Sequence, residues 1–352
     1  MTIDAAQLEQ RLTRLEGAAQ RVGMAVEEIY AHLMGRTVDT LRERWQRTQQ
    51  ELSVTVRRAD LHSHTTYSDG LHSVAEMERW RQRVGLDVLA ITDHNTLAHF
   101  DDCRPFPQIF LGEEVTGRHH HVLIHQPAAL VQPEHHLHRE VANIRAVGCL
   151  PLVAHPTGWM GHVYDDERIQ SVRDLDGAFL MEIANGATNW FDYRDGTDGT
   201  AIALWDQLLL AGKAVVAVGN SDAHRAANVG LVWNGVAEES TSLDAIYRAI
   251  TASRGFVSNG PAALLWVDGE PTAIVPRRPS GAVQLRIEIA DSVGLERWRL
   301  VADGCTWREG SAMERRAVRQ EFDAPATGVT SYRLECVAVD GRQAYSNPVR
   351  FG

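Results

Sequence analysis

Cysteine is scarce in this chain: Cys103, Cys149, Cys305 and Cys336 are the only four in 352 residues, and no two form a C-x-x-C pair. Such spacing excludes a disulfide framework and a zinc ribbon, and it leads us to expect a reducing compartment. Lysine is scarcer, Lys213 being the only one, so arginine carries nearly all the positive charge. No apolar run approaches the ~20 residues that a helical membrane span needs. The opening MTIDAAQLEQRLTRLE lacks the apolar core of a secretory leader. We therefore expect a cytoplasmic protein with no membrane partner. A G-x-S-x-G elbow, a Walker loop and a dinucleotide fingerprint are all missing, so a serine nucleophile and nucleotide cofactors are not expected. Basic residues fall short of acidic ones, 35 against 46, and the net charge of −11 repels a phosphate backbone. Nucleic acid is not an expected partner.

What is present is a 44% hydrophobic, 23% charged chain long enough for two or three globular domains. Its 16 histidines are unevenly placed: one is His32, fifteen lie between His62 and His224, and none follows. Histidine is the commonest metal ligand and titrates nearest neutral pH. The middle of the chain is therefore where chemistry is expected.

Three regions differ in pattern. Residues 1–57 read as a helical hairpin. Leu8, Leu12, Leu15, Ala19, Val22, Val26, Ile29 and Leu33 form a heptad seam, Gly35 can end the first helix, and Val38, Leu41 and Trp45 line a second. Such a hairpin either dimerises the protein or packs on its own catalytic domain. From residue 58 to 260, short apolar runs end in polar residues with metal affinity. VLAIT leads to Asp93-His94, IFLGE to Glu114, LPLVA to His155, FLMEIA to Asn185 and VVAVGNS to Asp222 and His224. Helical stretches at Val74–Val84, His138–Val147 and Ala201–Ala211 separate several of these strands, which suggests a parallel α/β sheet or barrel. Residues 261–352 alternate polar and apolar, as in Val283, Leu285, Ile287 and Ile289. Asp-Gly turns at 268, 303 and 340 mark this region as a β-sandwich.

The strongest chemical signal is Asp60-Leu61-His62-Ser63-His64, which leads to Asp69 in a Ser-Asp-Gly turn. Side chains alternate along a strand, so H-x-H presents two imidazoles on one side. Imidazoles and carboxylates recurring at later strand ends suit Zn, Mn or Fe rather than Ca. His72, His99, His125, His135, His136, His138 and His162 read as surface or loop residues.

The ordered series DLHSHTTYSDG, ITDHNT, GEEVT, HVL, VAHP and GNSDAH over residues 60–224 resembles the polymerase-and-histidinol-phosphatase (PHP) superfamily of metallohydrolases. LWDQLL with Gly212, RGFVSNGP from Arg254 and AYSNP from Ala344 are similar to its CehA/McbA branch. The resemblance implies a distorted (β/α)7 barrel, with a carboxy-terminal β domain, holding two to three divalent ions. By motif position, His62, His64, Glu114 and Asp222 would hold one ion. Glu114 would bridge to a second, completed by His121 and His155, and Asp69, His94 and His224 would hold a third. His119, two residues from His121, is the alternative to it. Asp93 is expected to orient an imidazole.

Paired ions acidify a water and stabilise attacking and leaving oxygens, so the chemistry is hydrolysis of a small-molecule substrate. A phosphoester would use Arg118 or Arg225 to meet its anionic oxygens. The alternative is a carbamate, amide or ester, whose apolar part Trp190, Phe191 and Tyr193 could bind. A third reading is a metal-stabilised module without activity, which loss of ligands would mark.

Overall fold

The computed structural model of the protein describes residues 18, 21–23, 25–29, 38–159, 162–189, 196–271 and 281–351. Outside the described residues lie Leu8, Leu12, Leu15, Ala19 and Leu33 of the seam, Gly35, and the aromatic residues Trp190, Phe191 and Tyr193.

The short apolar runs form strands, most of them buried on both faces. They are β1 (Val56–Asp60), β2 (Val88–Ile91), β3 (Ile109–Thr116), β4 (His121–His125) and β5 (Leu152–Val153). A small antiparallel pair follows, β6 (Gly158–Trp159) with β7 (His162–Val163), and then β8 (Phe179–Asn185) and β9 (Val215–Asn220). The sheet order is β1-β2-β3-β4-β5-β8-β9. β1, β2 and β3 are parallel, as are β5, β8 and β9. β4 runs against both neighbours because only residues 117–120 separate it from β3, too few for a crossover. Helices at Val74–Val84, Phe100–Cys103, Leu137–Ala146, Asp166–Arg173 and Gly196–Leu210 lie in the other connections. The first shows how local sequence sets both ends: Ser73 and Glu76 make a capping box, and Gly85 closes the helix at φ +73°.

β10 (Trp233–Ala237) pairs antiparallel with β1 and with β11 (Gly255–Ser258), and it comes close to the outer edge of β9. Two side-chain amides act there as a strand would. Asn234 donates from Nδ2 to the Gly219 carbonyl (2.8 Å) and accepts from the Gly219 N–H (2.9 Å). Asn347 makes the same pair with Ala217, at 2.9 and 2.8 Å. Gly219 must be glycine, since a Cβ would lie 2.3 Å from Val257.

The alternating tail forms β12 (Ala262–Val267), β13 (Glu270–Pro271), β14 (Ala282–Ala290), β15 (Leu295–Ala302), β16 (Cys305–Ser311), β17 (Ala317–Pro325), β18 (Ser331–Ala338), β19 (Gln343–Ser346) and β20 (Val349–Arg350). Asp268-Gly269 and Asp303-Gly304 both take positive φ, as tight hairpin turns require. β13-β12-β14-β17 make one sheet. The other tail strands do not stand apart: β19 pairs antiparallel with β11, so they continue the main sheet, 14 strands in all. One apolar cluster accordingly runs from Met77 and Trp80 to Leu285 and Tyr332.

The second expected helix is Val38–Gln50, and Trp45 lies edge-on to Trp233 at 5.0 Å. Residues 21–23 and 25–29 are also helical. In that segment Val22, Val26 and Ile29 are 65%, 50% and 61% exposed, whereas Glu27 is buried. No helix among the described residues is long and apolar enough to cross a membrane.

Candidate metal centre

β1 ends at Asp60, and the extended chain beyond it carries His62 and His64 to one side while Ser63 turns away to donate to the Ala90 carbonyl (2.5 Å). His64 N–H bonds to the Ala223 carbonyl, which joins this strand end to the turn after β9. In that turn Asp222 adopts φ 48°, and after β5 His155 adopts φ 28°. Both are left-handed conformations that cost energy for residues with a Cβ, and they turn these side chains toward the cluster. Gly70 makes the Asp69 turn possible, because a Cβ there would lie 2.5 Å from the His64 backbone.

All nine expected ligands meet at these strand ends. Nε2 of His62 and Nε2 of His64 stand together, and Oε2 of Glu114 and Oδ1 of Asp222 each lie close to both. His62 lies 3.0 Å from His64, 3.2 Å from Glu114 and 3.2 Å from Asp222, and His64 lies 3.2 and 3.1 Å from the same carboxylates. The other oxygen of Glu114 turns away, toward Nδ1 of His121 (2.9 Å) and Nε2 of His155 (3.6 Å). The third group is looser, with Asp69 3.5 Å from His94 and 3.3 Å from His224. His94 Nδ1 also lies 3.0 Å from Oε2 of Glu114, the oxygen shared with His62 and His64, and His94, Glu114 and His121 form a further set of close donors. His119 is exposed and its ring faces His135, so His121 is the histidine brought to the cluster.

Partners on the far side of three of the rings aim their ligand atoms. His62 Nδ1 meets Glu182 at 2.9 Å, His155 Nδ1 meets Tyr164 Oη at 3.1 Å, and His224 Nδ1 meets the Asp222 carbonyl at 2.9 Å. Glu182 also accepts from Asn220, Asn185 and the His155 N–H, at 2.8, 2.7 and 2.8 Å. Its signal in the sequence was a charge inside the apolar run FLMEIA, because a buried carboxylate persists only when it is fully bonded. Trp159 donates to the second oxygen of Asp222 at 3.1 Å. Asp93 ties Thr65 and Ser68 into the loop before Asp69, and the imidazole beside it is that of His99 (3.2 Å), not one of the cluster.

Burial works against charge throughout the site, yet the opposite charges prevail. It favours a neutral His62, but Asp222, Glu114 and Glu182 hold that imidazole well above its ordinary pKa. His64, equally buried, is raised to about 9 by Asp222 and Glu114. Burial would likewise raise Glu114 and Asp222, but His62 and its neighbours keep both well below the usual carboxylate range. Imidazoles held protonated by carboxylates mark a place where a divalent cation can replace protons. His64 Nδ1, buried and without a hydrogen-bond partner among the described residues, faces the third group. The donor set, imidazole and carboxylate without thiolate, fits a borderline divalent ion.

Several expectations need revision. His72, His99 and His125 are buried, not at the surface: His99 and His125 bond to the Gly112 and Leu61 carbonyls, and His72 accepts from the Ala226 N–H. Arg118 is exposed in the β3–β4 turn. Arg225 gives its guanidinium to Glu27 at 2.6 Å.

Residues 213–254, which include Asp222 and His224, match the PHP-associated family model. No curated protein matches the chain. Among solved structures, it is similar to a two-domain protein from Bacteroides vulgatus containing a predicted PHP-like metal-dependent phosphoesterase. The identity is 16%, over 84% of this chain and 96% of the other, with a TM-score of 0.47. PsfC from Pseudomonas syringae is 17% identical over 56% of this chain and 88% of its own, with a TM-score of 0.41. The lesion-specific endonuclease EndoQ from Pyrococcus furiosus is 17% identical over 56% of each chain, with a TM-score of 0.41. Likenesses of this size leave function to the chemistry of the site.

Proposed function

We propose that this chain, a member of the PHP superfamily by its matched segment and motif series, is a metal-dependent hydrolase of small-molecule phosphoesters. The observation that carries the reading is the split of Glu114. One oxygen lies against His62 and His64, which Asp222 also meets, and the other faces His121 and His155. A carboxylate placed between two donor sets is what paired ions require. Bound Zn, Mn or Fe ions, two to three in number, would supply an acidified water and polarise the substrate oxygen. The chain's own groups do the rest: Glu182 fixes His62, Tyr164 fixes His155, and Trp159 steadies Asp222. Asp69, His94 and His224 would hold the third ion. We assign the hydrolase to residues 58–260 as a distorted (β/α)7 barrel, with 261–352 as a β-sandwich and 1–57 as a helical element. Nucleic acid is not part of this reading, since the chain carries a net charge of −11.

A second reading, hydrolysis of a neutral carbamate, amide or ester, is favoured by one observation. Arg225 is engaged with Glu27, while the Trp159 ring stands 6.3 and 6.4 Å from those of His155 and His224, as a wall for a planar group. The test sets Mn- and Zn-loaded protein against an aryl phosphate, an aryl phosphodiester and an aryl N-methylcarbamate. Elemental analysis should find two to three ions per chain, and a phosphoester should turn over fastest. Arg118→Ala should then cost about 10²–10³ in rate if that guanidinium meets the anion. Fastest turnover of the carbamate, untouched by Arg118→Ala, moves the assignment to the second reading.

A further inference from the structure

The amino-terminal helical segment lies outside the family motifs, yet it reaches the metal cluster through one residue. Glu27 is 1% exposed in a segment whose other described residues are mostly exposed. Its Oε1 accepts from the Arg225 guanidinium at 2.6 Å, and its Oε2 accepts from the Ala227 N–H at 3.2 Å. Nε2 of His72 lies 3.6 Å from the same carboxylate, and Nδ1 of His72 accepts from the Ala226 N–H at 3.3 Å. Glu28 holds the segment down beside this contact through Arg83 at 2.6 Å.

These bonds join two arms of the third ligand group. One arm is the loop from Thr66 to His72, which carries Asp69. The other is the turn after β9, which carries His224 and continues through Arg225 to Ala227. The arms also share a backbone bond from Leu71 N–H to the His224 carbonyl. Asp69 and His224 face each other across 3.3 Å, and Asp69 is 55% exposed by side chain; Asp93 holds the start of its loop through Thr65 and Ser68, and His72 holds the end through the Thr66 N–H. The first group is different: His62 and His64 are fully buried and braced by Glu182 and the sheet.

We propose that Glu27 is a positioning residue for the third ion: by bolting the Arg225–Ala227 turn to His72, it sets the separation of Asp69 and His224. The inference rests on the metal-site reading above and extends it to a segment that the superfamily motifs do not cover. It also gives Arg225 a different task, that of a tether rather than a substrate contact. Residues that orient ligands without binding the ion typically change its affinity by 10–100-fold.

The test is a calorimetric titration of chelator-stripped, full-length protein with Mn²⁺ alone and with Zn²⁺ alone. Glu27→Ala should weaken the weakest-bound equivalent roughly tenfold or more and leave the tighter ones unchanged. Asp69→Ala should lose that same equivalent, and the double variant should be no worse than Asp69→Ala. Glu27→Gln, which keeps the shape and one acceptor, should fall between wild type and Glu27→Ala, and it stands in should the alanine variant fail to fold. All equivalents at wild-type affinity in Glu27→Gln and Glu27→Ala would overturn the proposal, as would equal weakening of every equivalent. Less than one equivalent bound by the wild type removes the metal-site reading itself, and this inference with it.

Discussion

A carboxylate with no exposed surface costs several kcal/mol unless its oxygens are bonded, and Glu182 is bonded at every turn. With Glu182 accepting from Nδ1 of His62, an ion that displaces the Nε2 proton would meet that nitrogen's lone pair aimed at the cluster. Glu182→Gln keeps the shape but replaces one charged acceptor oxygen with an amide donor. It should lower divalent-ion affinity by about 10–100-fold, with a fall in Tm smaller than that of alanine because one acceptor oxygen remains. Glu182→Ala should add a large fall in Tm, because it strands Asn185, Asn220 and the His155 N–H in a buried site. Metal titration beside a thermal melt of each variant separates the two effects. An unchanged affinity in Glu182→Gln would end the orienting role. Most of the nine candidate ligands stand at or near the end of an apolar run, where a polar residue is conspicuous, whereas Asp69 lies in a Ser-Asp-Gly turn and joined them only through the motif series. Glu182 could not be singled out so easily, since it sits inside its run and only burial gives it meaning. His125, buried within β4, was misjudged for the same reason: a histidine bonded to a backbone carbonyl has no motif.

At the scale of elements, the apolar runs were legible as strands because most are buried on both faces and so contain little that is polar. The reversal of β4 follows from the short gap after β3. The joining of β19 to β11 does not, since local periodicity carries no information about a partner some 90 residues away. Nor does it reveal that Asn234 and Asn347 would serve the open edge of β9. Asn347 lies in the AYSNP segment, and in the structure its amide closes on both polar groups of Ala217. Asn347→Ala leaves a buried N–H and carbonyl unpaired, which should destabilise the protein by roughly 2–4 kcal/mol. Asn347→Asp restores only the acceptor and should recover part of that loss. Denaturant unfolding of the three proteins checks the order. An alanine variant as stable as the wild type would mean that water or a shift of β9 satisfies Ala217 instead.

At the scale of the whole molecule, the amino-terminal segment presents two faces with different tasks. Its inner face carries Glu27 to the turn beside the metal cluster, and its outer face carries Val22, Val26 and Ile29 into solvent. The heptad pattern pointed to those three as the buried seam, but among the described residues they are exposed. The Val38–Gln50 helix, by contrast, packs through Trp45 on its own chain. A 3.5-residue apolar repeat left exposed is what a second helix of the same kind would cover. The seam continues in sequence through Leu8, Leu12, Leu15 and Ala19. A symmetric pair of chains joined along it buries the same surface on both. Light scattering should therefore give twice the chain mass of 39.1 kDa. Replacing Val22, Val26 and Ile29 together with glutamate should return a single-chain mass while leaving the inner face intact. Metal binding would then report whether the two faces communicate: unchanged ion affinity in the monomer means that Glu27 acts within its own chain. A wild-type protein of single-chain mass would leave the exposed seam without a partner and withdraw the dimer.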